Sequence, residues 1–306
     1  MPVTSYFIES ELKHVIRDVM TQEFEDKLMA NGSLVFISNE IDVGSRTYEF
    51  YTLTMTGRAK IISSDADDIP LVNVFKERKV GVIREIADAY VYTISDMEAS
   101  QKAGGQRLET VDAIAAREGI EQVADEIGYV GDTNHNLLGI ANHPNASTFT
   151  VAADGAGGSS TWTSKSHLQI LRDLGDIISA MDTASNYRQK GNTLLLPISR
   201  FNQLSTRFLP NTSVTLLNAF LDTQRNGTIR NIQPVPFLET AGTGGTAMGI
   251  LYNRDTTGRR IKMHMPLTFQ QIPPQPHGLR FEVYCRAKTG GIQITKPESV
   301  MYIEGI

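Results

Sequence analysis

The sequence predicts an α+β fold: an outer domain of helices and sheet, an α/β lobe inserted into it, and a two-stranded arm projecting from it. Three observations carry that prediction. From Arg46 to Val82 two strand-like runs flank an acidic segment, directly before a helical region rather than among core residues. Helical spacing from Lys165 to Met181 leads into Thr193–Leu196, apolar enough to be a central strand covered on both faces. After a break at Pro273, Pro274 and Pro276 comes the cleanest alternation in the chain. Leu279, Phe281, Val283, Cys285 and Ala287 share one face, and Arg280, Glu282, Tyr284 and Arg286 the other.

Taken in order, Leu12, Val15, Ile16, Val19, Met20, Phe24 and Leu28 recur at helical spacing between Ser10, a suitable N-cap, and the stop signal Asn31–Gly32. Such a terminal amphipathic helix docks on its own domain or lies on a neighbouring copy. Leu34 to Ile37 reads as a short strand. In the arm, Tyr48, Phe50, Leu53 and Met55 mix with Thr and Glu, residues 71–82 are β-branched and partly alternating, and Asp65, Asp67 and Asp68 between them oppose packing. A lone two-stranded arm is marginal and offers unpaired edges, so it requires a partner surface.

Ala89 to Ile94 is the next strand, and Ser95 and Asp96 open a short helix ending at Gly104 and Gly105. A longer helix follows, capped by Thr110, with Val111, Ile114, Ala115, Val123, Ala124 and Ile127 as its apolar stripe and Gly128 as its stop. At 1.5 Å per residue it spans about 25 Å. Gly119 inside it costs ~1 kcal/mol against alanine, which packing must offset. Residues 131–161 turn polar and Gly-rich, with a domain junction near their end. Beyond the strand at 193–196, Ser199 and Ser213 cap two short helices, Asn226–Gly227 marks a turn, and strands follow near 229–238, 247–253 and 260–269. Gly290 and Gly291 turn the final alternating strand, and 292–294 and 300–303 are expected to continue its sheet.

With 306 residues and 41% hydrophobic content, the chain can bury one large core or two ordinary ones. A net charge of −5 argues against a broad basic face for gripping nucleic acid. A single cysteine, Cys285, excludes an internal disulfide or a thiolate metal cluster within one copy. No apolar run is long enough to span a bilayer, and residues 1–11 carry Glu9 and Glu11 in place of a basic n-region, so a soluble intracellular protein is expected.

Chemistry-bearing patterns are sparse. None of the six histidines forms the i, i+4 pair of a zinc helix. His135 and His143 with Asp132 could face a metal, but surface loop histidines are the better reading. Asp132, Asn134 and Asn136 imitate a calcium loop that then fails, with Leu137 where Gly is needed and His143 where the bidentate Glu belongs. The trio Asp65, Asp67 and Asp68 reads as a solvated loop before it reads as a cation site. Gly242, Gly244, Gly245 and Gly249 resemble a phosphate-cradling loop only loosely, because Ala247 stands at the third glycine position and no P-loop lysine follows. Cys285, in an alternating strand, reads as a buried inert thiol.

Several spaced groups point elsewhere. Gly57, Ala59, Lys60, Ile61 and Ile62, then Ala66, Asp67, Asp68, Ile69 and Pro70, then Ala89, Tyr90, Tyr92, Thr93 and Asp96, then Gly131, Asp132, Gly139, Asn142 and Pro144 form a pattern completed by Thr289, Gly290, Gly291 and Pro297. From about Leu34 to the end, this pattern resembles the major capsid proteins of tailed bacteriophages with the Hong Kong 97-type fold.

The resemblance implies an N-terminal arm at 1–42, an extended E-loop at 43–83, a peripheral domain at 84–161 and 266–306 with a spine helix at 111–127, and an axial domain at 162–265. It implies a subunit that assembles with itself as pentamers and hexamers into an icosahedral shell, with double-stranded DNA inside. A portal and separate scaffolding or decoration proteins would be further partners. Assembly would take place in the bacterial host cytoplasm and the product would be a virion. No catalytic residue, cofactor, metal or membrane is implied. Inter-subunit contacts are expected at Leu12, Val15, Val19, Tyr48, Phe50, Lys60, Asp65, Asp67 and Asp68, a spine stripe at Val111, Ile114, Val123 and Ile127, and an axial loop at Gly242, Gly244 and Gly245. No coiled-coil scaffolding segment precedes the arm, so a scaffold is expected as a separate protein. The Lys and Asn pair that some members cross-link has no match. The alternatives are an encapsulin-like nanocompartment shell, a tail or decoration protein, and a soluble enzyme using the 242–249 loop and His264.

Overall fold

A computed structural model describes residues 27–57, 59–61, 69, 71–96, 98, 108–224 and 229–306. Most of the expected N-terminal helix, with Leu12, Val15 and Val19, lies outside the described residues, as do Asp65, Asp67, Asp68 and the turn at Asn226–Gly227. The expected stop does fall inside them. Gly32 has φ +70°, and its N–H donates to Met29 O at 3.0 Å while that of Ser33 donates to Leu28 O at 3.0 Å. These paired bonds satisfy carbonyls at the end of a helical turn.

The chain then runs through β1 (Phe36–Ser38), two residues later than expected because Leu34 and Val35 enter the core first. The arm is a hairpin of β2 (Thr47–Thr56) and β3 (Asn73–Val82), antiparallel from Thr47↔Val82 to Thr56↔Asn73. Next, β4 (Arg84–Thr93) starts earlier than its apolar residues suggest, because Arg84, Glu85 and Asp88 occupy the exposed edge positions of a strand. Thr93, not Ser95, caps the helical turn that follows. The Thr93 N–H and Oγ1 donate to Asp96 Oδ2 at 3.1 and 2.7 Å, and the Asp96 N–H donates to Thr93 Oγ1 at 3.2 Å.

Helix α1 (Leu108–Tyr129) is longer than expected at both ends, about 33 Å. Thr110 falls inside its first turn, and the left-handed residue after it is Gly131 (φ +74°), not Gly128. Gly128 is needed for another reason, since a Cβ there would stand 3.0 Å from the Cβ of Met29. The stripe is also corrected. Ala116, Ile120, Ala124 and Ile127 are buried, whereas Ile114 is 52% and Val123 42% exposed. Apolar residues surround this helix, so periodicity alone could not choose a face, and the sheet selected the small alanines that permit close approach.

The segment 131–161 holds the small strands β5 (Gly131–Asp132), β6 (Leu137–Leu138) and β7 (Ser147–Thr150). Helix α2 (His167–Ala184) begins at a capping box in which Ser166 Oγ accepts from the Gln169 N–H and Gln169 Oε1 accepts from the Ser166 N–H. After β8 (Thr193–Pro197) come α3 (Ile198–Thr206) and α4 (Leu216–Thr223), capped at Pro197 and Thr215 rather than at Ser199 and Ser213. Ser199 instead donates through its N–H and Oγ to Glu239. The remaining strands are β9 (Asn231–Val235), β10 (Met248–Tyr252), β11 (Ile261–His264), β12 (Leu267–Gln271), β13 (Gln275–His277), β14 (Arg280–Thr289), β15 (Gly291–Ile294) and β16 (Val300–Glu304).

A five-stranded sheet of order β7-β16-β10-β8-β9 partitions the molecule. Leu195, Ile250, Tyr252, Val300 and Tyr302 project into one core, Leu194, Leu196, Leu251, Met301 and Ile303 into the other. Both faces are covered, which explains why β8 is buried throughout and apolar from Leu194 onward. The expectation that 292–294 and 300–303 continue the sheet of β14 is corrected. β15 pairs with β11, and β16 crosses to lie between β10 and β7, a non-local pairing that no local pattern encodes. β14 pairs along its length with β4 and carries β12 and β13 on its other edge. Val283, Cys285 and Ala287 are fully buried, the last two against Ala116 and Ile120 of α1. Leu279, expected on that face, precedes the strand and is 79% exposed.

Candidate functional site

The region that stands apart is the hairpin. Opposed residues in an antiparallel pair share a face, so the register places Tyr51, Leu53, Met55, Val74 and Val80 on one side with Lys76, Arg78 and Glu49. The other side carries Tyr48, Phe50, Phe75 and Lys79 with threonines. Met55 is 71% and Phe75 61% exposed, and Tyr51, Leu53, Val74 and Val80 are each more than half exposed. Past the strand ends, Ile61, Ile69, Leu71 and Val72 are exposed as well, as is Lys60 beside them. Within the strands, Lys76 Nζ sits 3.8 Å above the Tyr51 ring, and Arg78 pairs with Glu49. Such exposed ion pairs contribute little, about 0–1 kcal/mol each. Covering one large apolar side chain is worth about 1.5–3 kcal/mol, so the apolar set decides what this surface does.

The hairpin joins the body at its root. Tyr48 is placed there, its ring centroid 4.5 Å from that of His264, and burial pushes its hydroxyl up to about 12. His264 is buried on β11. Its Nε2 lies 2.6 Å from Gln293 Oε1, and burial pulls its pKa down. Phe50 lines a cleft of about 180 Å³ between the root and the body, with Lys79, His143, Pro144, Gln293 and Pro297 among its other walls. His143 is also held below the usual histidine range, by burial first and by the charge of Lys79 second. Of the arm residues expected to meet another copy, Tyr48 and Phe50 therefore face their own chain, while the exposed set is Tyr51, Leu53, Met55, Val74 and Phe75. Alternation in β2 could have separated the two sets, but not said which faced inward.

The N-terminal turn docks on α1. Asp125, buried, accepts from the N–H groups of Met29 and Ala30 at 2.7 and 2.9 Å, and Lys27 pairs with Glu118 and Glu121. On the far side of the central sheet, Lys165 is fully buried and lies 2.6 Å from Asp173 and 3.1 Å from Asp154. Arg172 joins both carboxylates and holds that of Asp154 well below its ordinary range.

The other sequence candidates are dispersed. His135 Nδ1 bonds Asp132, whereas His143 lines the root cleft and its N–H donates to Tyr302 Oη at 2.8 Å. Among the described residues no group of three His, Cys, Asp or Glu could hold a metal ion. Gly242 donates to Thr246 O at 2.8 Å, Gly244 and Gly245 take positive φ, and Thr243 Oγ1 donates to Glu304 at 2.6 Å. His264 instead meets Tyr48, Gln293 and the Thr289–Gly290 turn. Burial raises the pKa of Cys285. No helix among the described residues is long and apolar enough to cross a membrane.

Comparisons with known proteins fit a shell subunit. No curated protein sequence matches the chain significantly. Among solved structures, the capsid of Myoviridae phage XM1 superposes with a TM-score of 0.78 at 16% identity, covering 99% of this chain and 100% of that one. The capsid of a native GTA particle gives 0.65 at 7% identity, covering 99% and 98%. A virus-like particle from Pyrococcus furiosus gives 0.56 at 14% identity, covering 89% and 91%. At these identities the likeness establishes the fold, which is that of the Hong Kong 97-like phage capsids. A family model described as Major capsid protein matches residues 57–306, and the chain belongs to the major capsid protein family.

Proposed function

We propose that this chain assembles as pentamers and hexamers into the icosahedral head of a tailed phage and encloses its double-stranded DNA. The observation that carries the reading is the hairpin, whose apolar residues are exposed on both faces in the single copy. A long ribbon with this much exposed apolar surface is an aggregation hazard unless a defined partner covers it, and in a closed symmetric shell that partner is an identical subunit. Residues 1–42 act as the N-terminal arm and 43–83 as the E-loop. The peripheral domain comprises 84–161 and 266–306, and the axial lobe 162–265, which shares its sheet with β7 and β16. Ile114 and Val123, exposed on the spine helix, and the turn at Gly242–Gly245 are further contact candidates. Lys60 and the N-terminal residues Leu12, Val15 and Val19 belong to the same inter-subunit set, together with the acidic Asp65, Asp67 and Asp68.

The protein works without catalysis: geometry and many modest interfaces, each on the order of 1,000 Å² or more, hold the container. A net charge of −5 is compatible with confining DNA mechanically instead of gripping its phosphates. Assembly in the host cytoplasm, a portal, and a separate scaffold or decoration protein complete the proposal. The test is electron microscopy of the expressed protein with and without Leu53→Asp and Met55→Asp. Closed shells that the double variant abolishes support the reading. Shells that close equally well in the variant, or wild-type protein that stays dispersed, count against it, and shells filled with protein instead of nucleic acid favour a nanocompartment.

A further inference from the structure

We infer that Tyr48 is a positioning residue that fixes the direction in which the hairpin leaves the body, by plugging a socket formed by Gly81, Gly290 and His264. Two close approaches build the socket. Tyr48 faces Gly81 across the β2–β3 ladder, and a Cβ at Gly81 would stand 2.2 Å from the Tyr48 ring carbon Cζ. On the body side, a Cβ at Gly290 would stand 3.1 Å from Tyr48 Cε1. The ring thus lies on bare backbone from both the arm and the β14–β15 turn, with the His264 ring 4.5 Å away at 51°. Any side chain at Gly81 displaces it.

Beside the ring, the root is tied by the buried Ile83 and by Lys288 Nζ, which donates to Val43 O at 2.9 Å. Ile83 N donates to Arg46 O at 2.8 Å, and the Tyr48 hydroxyl reaches Gly290 O only at 3.4 Å, so the aromatic body of the side chain, more than its hydroxyl, makes the joint. His264 is fixed in turn by Gln293, and Phe50, on the same face as Tyr48, stacks on the Tyr48 ring with centroids 6.2 Å apart and otherwise lines the cleft. Those ties hold the chain ends, whereas the one ring seated between two glycines bridges arm and body and so sets how a hairpin of two ten-residue strands is aimed. The inference deepens the capsid reading, because the aimed surface is the one proposed to cover a neighbouring copy.

The test uses the full chain, dispersed, with spin labels on cysteines placed at the exposed Glu77 and Glu298; the native Cys285 is fully buried and stays unlabelled. The distance distribution between hairpin and body is expected to be narrow in the parent, to broaden in Tyr48→Ala, and to broaden or shift in Gly81→Ala. Tyr48→Phe is expected to restore the parent distribution, which a general loss of stability would not do. Should Tyr48→Ala fail to fold by circular dichroism, Gly81→Ala carries the test, since Gly81 lies on the hairpin and is only half-buried. Distributions that stay identical to the parent in these variants overturn the inference, whether or not shells form. Failure of the capsid reading shows separately, as parent protein that never closes shells.

Discussion

The hairpin and the central sheet are both β-structure of ordinary strand length, yet they treat apolar residues in opposite ways. In the sheet every residue of β8 and β10 is buried, with one core on each side. In the hairpin β3 is exposed from Asn73 to Arg78, apolar residues included. The central sheet completes its packing inside the chain. The hairpin leaves undone contacts worth on the order of 10 kcal/mol if five large side chains are covered elsewhere. On the proposed reading, subunit stability is concentrated in the central sheet and assembly in the hairpin, and substitutions should separate the two.

The largest separation is expected between Lys165→Ala and Leu53→Asp. Removing Lys165 takes one of two cationic partners from the buried Asp173 and leaves it Arg172 alone, so the subunit loses about 1.5–3 kcal/mol in a denaturant titration. Leu53→Asp changes that titration by less than ~0.5 kcal/mol, but each contact it disrupts costs about 1.5–3 kcal/mol, roughly tenfold or more in affinity. Sedimentation of assembled particles reads the second effect. If Leu53→Asp unfolds the subunit, the contrast between the regions fails.

A smaller effect is expected where the N-terminal turn meets α1. Asp125→Ala strands two backbone N–H groups and should cost about 1–3 kcal/mol, read from the shift in denaturation midpoint. An unchanged midpoint would mean that the turn from Lys27 to Ser33 contributes nothing to the core beside Met29.

The hairpin root should respond to acid before the central sheet does. His264 and His143 are both held below the ordinary histidine value by burial, so the folded chain resists protons that the unfolded chain accepts. Their neutral forms cost nothing above about pH 6.5. Stability then falls as the pH drops below that value towards the depressed folded values. The groups facing His264 are Tyr48, Gln293, Lys262 and Glu40. His264→Asn should flatten part of this slope in melting curves taken across mildly acidic pH, and an unchanged slope would remove His264 from the account. Asp154 acts later and with the same outward sign, because its lowered carboxyl contributes stability that is lost as the pH falls through still lower values.

The smallest effect is expected at Ile114→Ser and Val123→Ser. Both residues are half-exposed on α1, so subunit stability should move by less than ~0.5 kcal/mol. A larger loss would show that they serve the core.

Much of this contrast was legible in the sequence. Alternation in β14 gave Val283, Cys285 and Ala287 their face, and the acidic break between two β-branched runs located the hairpin. The errors have physical causes. α1 is apolar on several sides, so its buried stripe depended on which side the sheet approached. The exit of β8 at Pro197 fixes where α3 starts, ahead of Ser199, and Thr215, whose Oγ1 accepts from the Asn218 N–H, takes the cap of α4 from Ser213. The place of β16 between β7 and β10 is set by partners more than forty residues away in sequence. The Tyr48 socket left no periodic trace, because Gly81 and Gly290 serve by the absence of a side chain.

The most direct measurement is an electron-microscopic reconstruction of the assembled protein in which the surroundings of Tyr51, Leu53, Met55, Val74 and Phe75 can be traced. The account predicts that these side chains are covered by an adjacent identical subunit in every ring of the shell. A closed shell in which they still face solvent would contradict it.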